Sequence, residues 1–236
     1  MNETLVPAWK PEGPPRQPGA RAVRPKGAAT LILIRRDGPS PRVLMGRRNS
    51  GHSFMPDRWV FPGGRVDRAD YHPPAAAELR PEVQAIFDSH LKPRRARALA
   101  LAAVRETFEE AGLLLARSAP PRPGAGPWRD FLAQGALPDL EALDIVARAI
   151  TPPQISKRFD AWFLMADAGR LLSLERQPDC GELEEIAWFD FEAARALKLP
   201  FVTAAVLAEA EARLADPSRP RPYWRHGATA GVHTHL

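Results

Sequence analysis

Two clusters of residues in this chain could do chemistry. Arg105-Glu106-Thr107-Phe108-Glu109-Glu110-Ala111-Gly112 crowds three carboxylates into five positions, and Phe61-Pro62-Gly63-Gly64-Arg65-Val66-Asp67 sets two glycines side by side. On a helix turning about 100° per residue, Glu106, Glu109 and Glu110 share an arc of about 100°. Leu101, Val104, Phe108 and Ala111 fall on the opposite side. One face suits a core and the other carries negative charge. Gly112 ends the helix, because glycine takes the left-handed conformation without strain. Like charges at this spacing repel by about 0.2–0.5 kcal/mol per pair, and a solvated helix gains nothing in return. A hard divalent cation with oxygen ligands, such as Mg²⁺, removes the repulsion and keeps waters free for substrate phosphates. The same acids also fit a solvated helix face, and adjacent glycines also fit a plain tight turn.

The elements that must position these clusters are legible around them. Ala28–Ile34 reads as a strand buried on both faces, Asp37-Gly38-Pro39-Ser40-Pro41 as a turn, and Arg42–Arg48 as the returning strand. Glu78–His90 has Leu79, Val83, Ile86 and Phe87 at helical spacing, Lys92-Pro93 breaks it, and the acidic helix starts near Arg94 or Arg97. After Gly112, Leu113–Leu115 opens a strand. Trp128–Leu132 and Leu140–Ile150 read as helical, the latter with Leu140, Leu143 and Val146 on one side, and Phe191–Leu199 and Phe201–Leu214 as further helices. Residues 1–26 are rich in Pro and Gly and read as a flexible or extended arm.

Composition sets outer limits. At 236 residues with 44% hydrophobic content, the chain suits one domain with insertions and a full core. The single cysteine, Cys180, excludes an internal disulfide framework and a cysteine zinc site. No run approaches the ~18 apolar residues of a membrane span, and the N-terminus lacks the apolar core of a signal peptide. The net charge is +5, and only five of the 33 basic residues are lysine. Its arginines are scattered, without the patch or aromatic interleaving of nucleic-acid modules, so the excess suits steering of a polyphosphate.

Gly64 through Leu113 resembles the Nudix box, G-x5-E-x7-R-E-U-x-E-E-x-G-U with U aliphatic. Arg105-Glu106, Glu109-Glu110, Gly112 and Leu113 match, Thr107 stands in a U position, and Asp70 stands where the pattern has Glu. Between Asp70 and Arg105 lie 34 residues where the pattern has seven, which reads as an insertion of 27. The resemblance implies an α/β fold, a Nudix-type α/β/α sandwich with a mixed sheet and a helical insertion inside the box. Its domain would run over residues 27–236, with the insertion at about 71–97. It also implies Mg²⁺ or Mn²⁺ held by Glu106, Glu109, Glu110 and the Gly63 carbonyl, with Arg105 orienting the glutamates. A proton acceptor would be Glu182, preferred over Glu185, or Glu106 itself.

Other stretches narrow the branch. Arg48 lies 13 residues before Phe61, as in the family's coenzyme A signature, although Asn49, Ser53 and Asp57 depart from it. The insertion, Thr151-Pro152 and Arg158-Phe159-Asp160-Ala161-Trp162-Phe163-Leu164 resemble the branch containing a peroxisomal coenzyme A diphosphatase. Arg48 and Arg158 are then candidate phosphate contacts, with pairing of Arg158 to Asp160 or the sheet edge as the structural alternative. The implied reaction opens a pyrophosphate in coenzyme A or acyl-coenzyme A. ADP-ribose, nucleotide sugars and nucleoside triphosphates are alternative substrates, and a non-catalytic nucleotide sensor is an alternative of another class. The expected partner is a small nucleoside diphosphate derivative, with no nucleic acid and no membrane and with room for a homodimer. The expected compartment is the cytoplasm, or the peroxisome if the source is eukaryotic.

Overall fold

Strand β1 (Lys26–Arg35) is the axis of the molecule. Its Leu31 and Leu33 face one hydrophobic core while Ile32 and Ile34 face another, the two-residue period expected of a strand covered on both sides. In the computed structural model, residues 12–49, 51, 56–177, 183–226 and 231–236 are described, with the main chain alone at 226 and 231–233. Expectations about Cys180, Glu182 and the Phe54-Met55 lead-in lie outside them.

From β1 the chain runs through β2 (Arg42–Arg48), β3 (Trp59–Val60), β4 (Gly63–Arg65), a 3-10 turn (Arg68–Tyr71), α1 (Pro81–Asp88) and α2 (Pro93–Ala111). It continues through β5 (Ala116–Ser118), α3 (Arg129–Ala133), β6 (Ala136–Pro138), β7 (Asp144–Ile150) and β8 (Phe159–Asp167). Last come β9 (Leu183–Asp190), α4 (Phe191–Ala196), α5 (Phe201–Ala215), β10 (Pro222–His226) and β11 (Gly231–His235). The main sheet follows the order β11-β10-β7-β8-β1-β2-β3, parallel at β1/β8 and β10/β7 and antiparallel elsewhere. Helix α2, with α1 and α3, covers one face and α4 with α5 the other, giving an α/β/α sandwich on a mixed sheet.

The feature that builds the site is a fork. β1 pairs β2 only at Ile34 and Arg35, and the two strands then part. The segment from Trp59 to Arg65 fills the gap. Trp59-Val60 pairs with Gly46-Arg47 of β2, the Leu31 amide donates to the Pro62 carbonyl at 2.9 Å, and Gly63–Arg65 pairs with Ala28–Thr30 of β1. Gly63 is required there, because a Cβ would lie 2.6 Å from Ala29 O and from Thr30 Cα.

Helix α1 occupies the middle of the segment read as Glu78–His90, started by Pro81 at its first position. One expectation is overturned. Leu140–Ile150 is not helical: after a single 3-10 turn at Leu140–Ala142 it becomes strand β7. The spacing of Leu140, Leu143 and Val146 mimics a helical stripe. However, Ile145, Val146, Ala147 and Ala149 are all buried between two layers, where β-branched residues favour the strand. The Leu113–Leu115 strand also begins later than expected, at Ala116, with Leu115 making an isolated bridge to Leu171. In the arm, the Arg16 amide donates to Gln154 O at 2.7 Å and Glu12 accepts from the Phe201 amide at 2.7 Å.

Candidate functional site

Helix α2 brings its acids to the glycine bend. The Gly63 amide donates to Glu110 Oε2 at 2.8 Å. At Gly64 a Cβ would sit 2.5 Å from three atoms of the Glu106 carboxylate, so only glycine lets that side chain lie against the main chain. The acid face is therefore not a solvated one. Glu110 is 7% exposed, Arg105 4%, and the Glu106 side chain 14%, while the Glu109 side chain is 36% exposed. Glu185, by contrast, pairs with Arg47 at 2.6 Å on the exposed surface of β2 and β9.

Arg105 organises the cluster. Its Nη1 donates to Glu109 Oε2 at 2.6 Å, its Nη2 lies 2.9 Å from Glu106 Oε1, and Nη2 also donates to the Arg65 carbonyl at 3.0 Å. From the other side it is gripped by Asp70, with Nε to Oδ1 at 2.8 Å and Nη2 to Oδ2 at 3.1 Å. Such a fork is geometry that a lysine does not provide. Burial alone pulls the guanidinium down, but the Asp70 hydrogen bond and the charges of Glu106, Asp70 and Glu109 outweigh it and hold Arg105 above the ordinary arginine value. The Glu106 carboxyl moves the other way from a simple ion pair. Burial raises it, Arg105 pulls it only part of the way back and Glu109 adds to the rise, and the carboxyl ends up at about 7. One guanidinium is shared among three carboxylates, so each receives a fraction of its charge.

Among the described residues, no three His, Cys, Asp or Glu side chains gather as a ready-made metal cage. Glu106 and Glu109 lie against Arg105 instead, and Glu110 accepts from the bend. The donor chemistry nevertheless fits a hard divalent cation, with three carboxylates on successive turns of one helix and no Cβ filling the space beside Glu106. A buried carboxyl held near neutrality is also one whose ionised form an added cation would favour.

The C-terminal end of α2 is closed by Gly112 in the left-handed conformation, with φ 67°. There Arg176 Nε donates to Ala111 O at 2.9 Å, placing a cation at the negative end of the helix. Arg48 ends β2 opposite Leu183, immediately after the Glu182 position. Arg158 stands at the start of β8, where the Lys26 amide of β1 donates to its carbonyl, three to four residues along β1 from the glycine bend. At strand rise that is about 10–13 Å. Its guanidinium donates to the carbonyls of Thr151 (2.9 Å) and Val23 (2.8 Å), while Asp160 pairs with Arg148.

Sequence reading missed two contributors. Asp70, which the sequence matched to a box position but gave no role, is fully buried and its two oxygens accept four hydrogen bonds. The available signal was Asp67 three residues ahead, since the pair forms a reciprocal cap on the 3-10 turn. Trp128 donates its indole N–H to Asp70 at 2.9 Å across 58 residues of chain, and no local pattern announces that contact.

No family model matches the chain. A solved Nudix hydrolase of Alicyclobacillus acidocaldarius is 29% identical and superimposes with a TM-score of 0.57, over 82% of this chain and 96% of that one. The chain is similar to the Nudix hydrolases in sequence and in fold. Curated relatives of this chain include the acyl-coenzyme A diphosphatase NUDT19 of Gallus gallus, 36% identical over 48% of this chain and 39% of the relative. The human protein of the same name is 30% identical over 52% and 47%. The chain thus spans less than half the length of these two relatives. Among the described residues, no helix is long and apolar enough to cross a membrane.

Proposed function

We propose that this chain is a divalent-metal-dependent hydrolase that opens the pyrophosphate of a nucleoside diphosphate linked to another moiety, with coenzyme A or acyl-coenzyme A as substrate. The observation that carries the reading is the acid cluster of α2, seated on the Gly63-Gly64 bend and locked by Arg105. Glu106, Glu109 and Glu110, with Gly63, would hold Mg²⁺ or Mn²⁺. When bound, the ion supplies charge neutralisation of the diphosphate and a more acidic water.

The remaining work falls to the chain itself. Arg105 sets the side-chain directions of Glu106 and Glu109, and Asp70 fixes Arg105. Glu106, lying against the Gly64 main chain, is one candidate proton acceptor. Glu182 remains a second candidate by its place before β9. Arg48 and Arg158 are the proposed phosphate contacts, Arg48 from the fork side and Arg158 from the start of β8. Water attacks one phosphorus, the bridging P–O bond breaks, and coenzyme A yields 3′,5′-ADP and 4′-phosphopantetheine.

The names of the curated relatives favour coenzyme A thioesters over other diphosphates. A small-molecule partner, the absence of nucleic acid, a homodimer and a cytoplasmic setting belong to the same proposal. Incubation with Mg²⁺ and coenzyme A should release 3′,5′-ADP, identified by mass spectrometry. Cleavage of ADP-ribose or another dinucleotide with coenzyme A left intact would reject the substrate.

A further inference from the structure

Trp128 lies outside the acid helix and outside the glycine bend, yet its indole N–H ends on the carboxylate that fixes Arg105. An indole N–H is a donor only, and when buried it usually takes an acceptor. The buried Trp162 indole N–H has no hydrogen-bond acceptor among the described residues, so the Trp128 contact is a specific one. Trp128 is 2% exposed and Asp70 is 0% exposed. Asp70 Oδ1 accepts from Arg105 Nε at 2.8 Å and from Trp128 Nε1 at 2.9 Å. Its Oδ2 accepts from the Asp67 amide at 2.7 Å and from Arg105 Nη2 at 3.1 Å. The Asp67 amide and the Trp128 indole are thus the two donors that hold the carboxylate still while Arg105 takes its fork. Asp67 belongs to the bend itself. Trp128 arrives from a separate 3-10 turn, Gly126–Trp128, after β5.

We propose that Trp128 is a positioning residue for the reaction centre, acting through Asp70 and Arg105 on Glu106 and Glu109. The inference rests on the hydrolase reading above. Trp128 also meets α2 by an apolar route. Its ring stands 5.2 Å from Phe131, and Phe131 stands 5.4 Å from Phe108, three residues beyond Arg105 on α2. The two routes separate by mutation. Trp128→Phe keeps an aromatic ring in the layer and deletes the donor, leaving Asp70 with three hydrogen bonds from two partners. Phe131→Leu loosens the layer and leaves all four hydrogen bonds to Asp70 in place.

The test measures Mn²⁺ binding alone, by the electron paramagnetic resonance of the free ion, together with melting temperature and turnover. If the wild type binds Mn²⁺, W128F should weaken that binding about threefold or more, short of the roughly tenfold loss when a partner directly behind a metal ligand is removed, because Trp128 acts through Asp70 and Arg105. With coenzyme A and Mg²⁺ it should lower kcat by a similar factor while KM stays within about twofold. F131L should lower the melting temperature and leave Mn²⁺ binding unchanged. A W128F protein that binds Mn²⁺ as the wild type does would overturn the inference and leave the hydrolase reading standing. A wild type that binds no Mn²⁺ would instead count against the hydrolase reading. A second arm is independent of metal and activity. In ¹⁵N-labelled protein, Arg105→Lys should move the assigned indole N–H signal of Trp128 and leave that of Trp59, which packs against the core on the other face of the sheet, in place. An unmoved Trp128 signal would overturn the coupling.

Discussion

Replacing Asp70 by Asn separates the shape of the carboxylate from its charge and its acceptor count. Asp70 accepts four hydrogen bonds in a site closed to solvent. Asparagine retains one oxygen and turns an NH₂ toward the other two donors, so two bonds are lost and two donors face a donor. Breaking a buried ion pair costs about 3–5 kcal/mol. Arg105 keeps Glu106 and Glu109, at 2.9 and 2.6 Å, which trims the expectation to about 2–4 kcal/mol. For a chain of this size each kcal/mol moves the melting temperature by about 2–4 °C, so D70N should melt about 4–16 °C below the wild type. Circular dichroism at 222 nm against temperature measures it, and an unchanged low-temperature spectrum confirms the fold. D70E, with one methylene too many for a filled pocket, should also lose about 1–3 kcal/mol. A D70N protein that melts within about 2 °C of the wild type would refute the claim that Asp70 is the anchor of Arg105.

Further outcomes follow from the same geometry. Gly64→Ala, whose Cβ would meet the Glu106 carboxylate at 2.5 Å, should cut turnover at least about tenfold, since it displaces a proposed metal ligand and the loss of a group behind such a ligand already costs about that much. Mn²⁺ at about 100 times its Kd should stabilise the protein by about 2.7 kcal/mol, a rise EDTA reverses and Glu110→Gln abolishes. His90, an exposed residue whose ring lies near Trp162 and Tyr223, is held below the ordinary histidine value by partial desolvation against those rings and then by the nearby Arg148 charge, with Asp160 opposing. Its lowered folded value means that the unfolded chain binds the proton first as pH falls. The stability His90 contributes is therefore complete above about 6.5 and lost toward acid, and thermal melts from pH 7.5 to 5 should fall less steeply in His90→Phe.

How far the molecule could be read from its residues depends on where each cause lies. Helix α2 was legible because its core stripe, acid arc and Gly112 stop are local and agree. β1 was legible from an unbroken apolar run. β7 was misread since residues covered on both faces lose the alternation that marks a strand, and three of them happened to sit at helical spacing. The anchoring of Arg105 was beyond local reading. Asp70 reaches Arg105 over 35 residues, and Trp128 reaches Asp70 over 58. The fork between β1 and β2 likewise exists only once strand register is set, although the Phe-Pro-Gly-Gly stretch that fills it was plain.

The most direct test of the account is the initial rate of coenzyme A hydrolysis by a protein with both Glu109→Gln and Glu110→Gln, beside the wild type, with folding verified for each. The account predicts wild-type turnover and a loss of about 100-fold or more in the double variant, whose fold is intact. A double variant that hydrolyses at the wild-type rate would contradict the assignment of this acid cluster as the reaction centre.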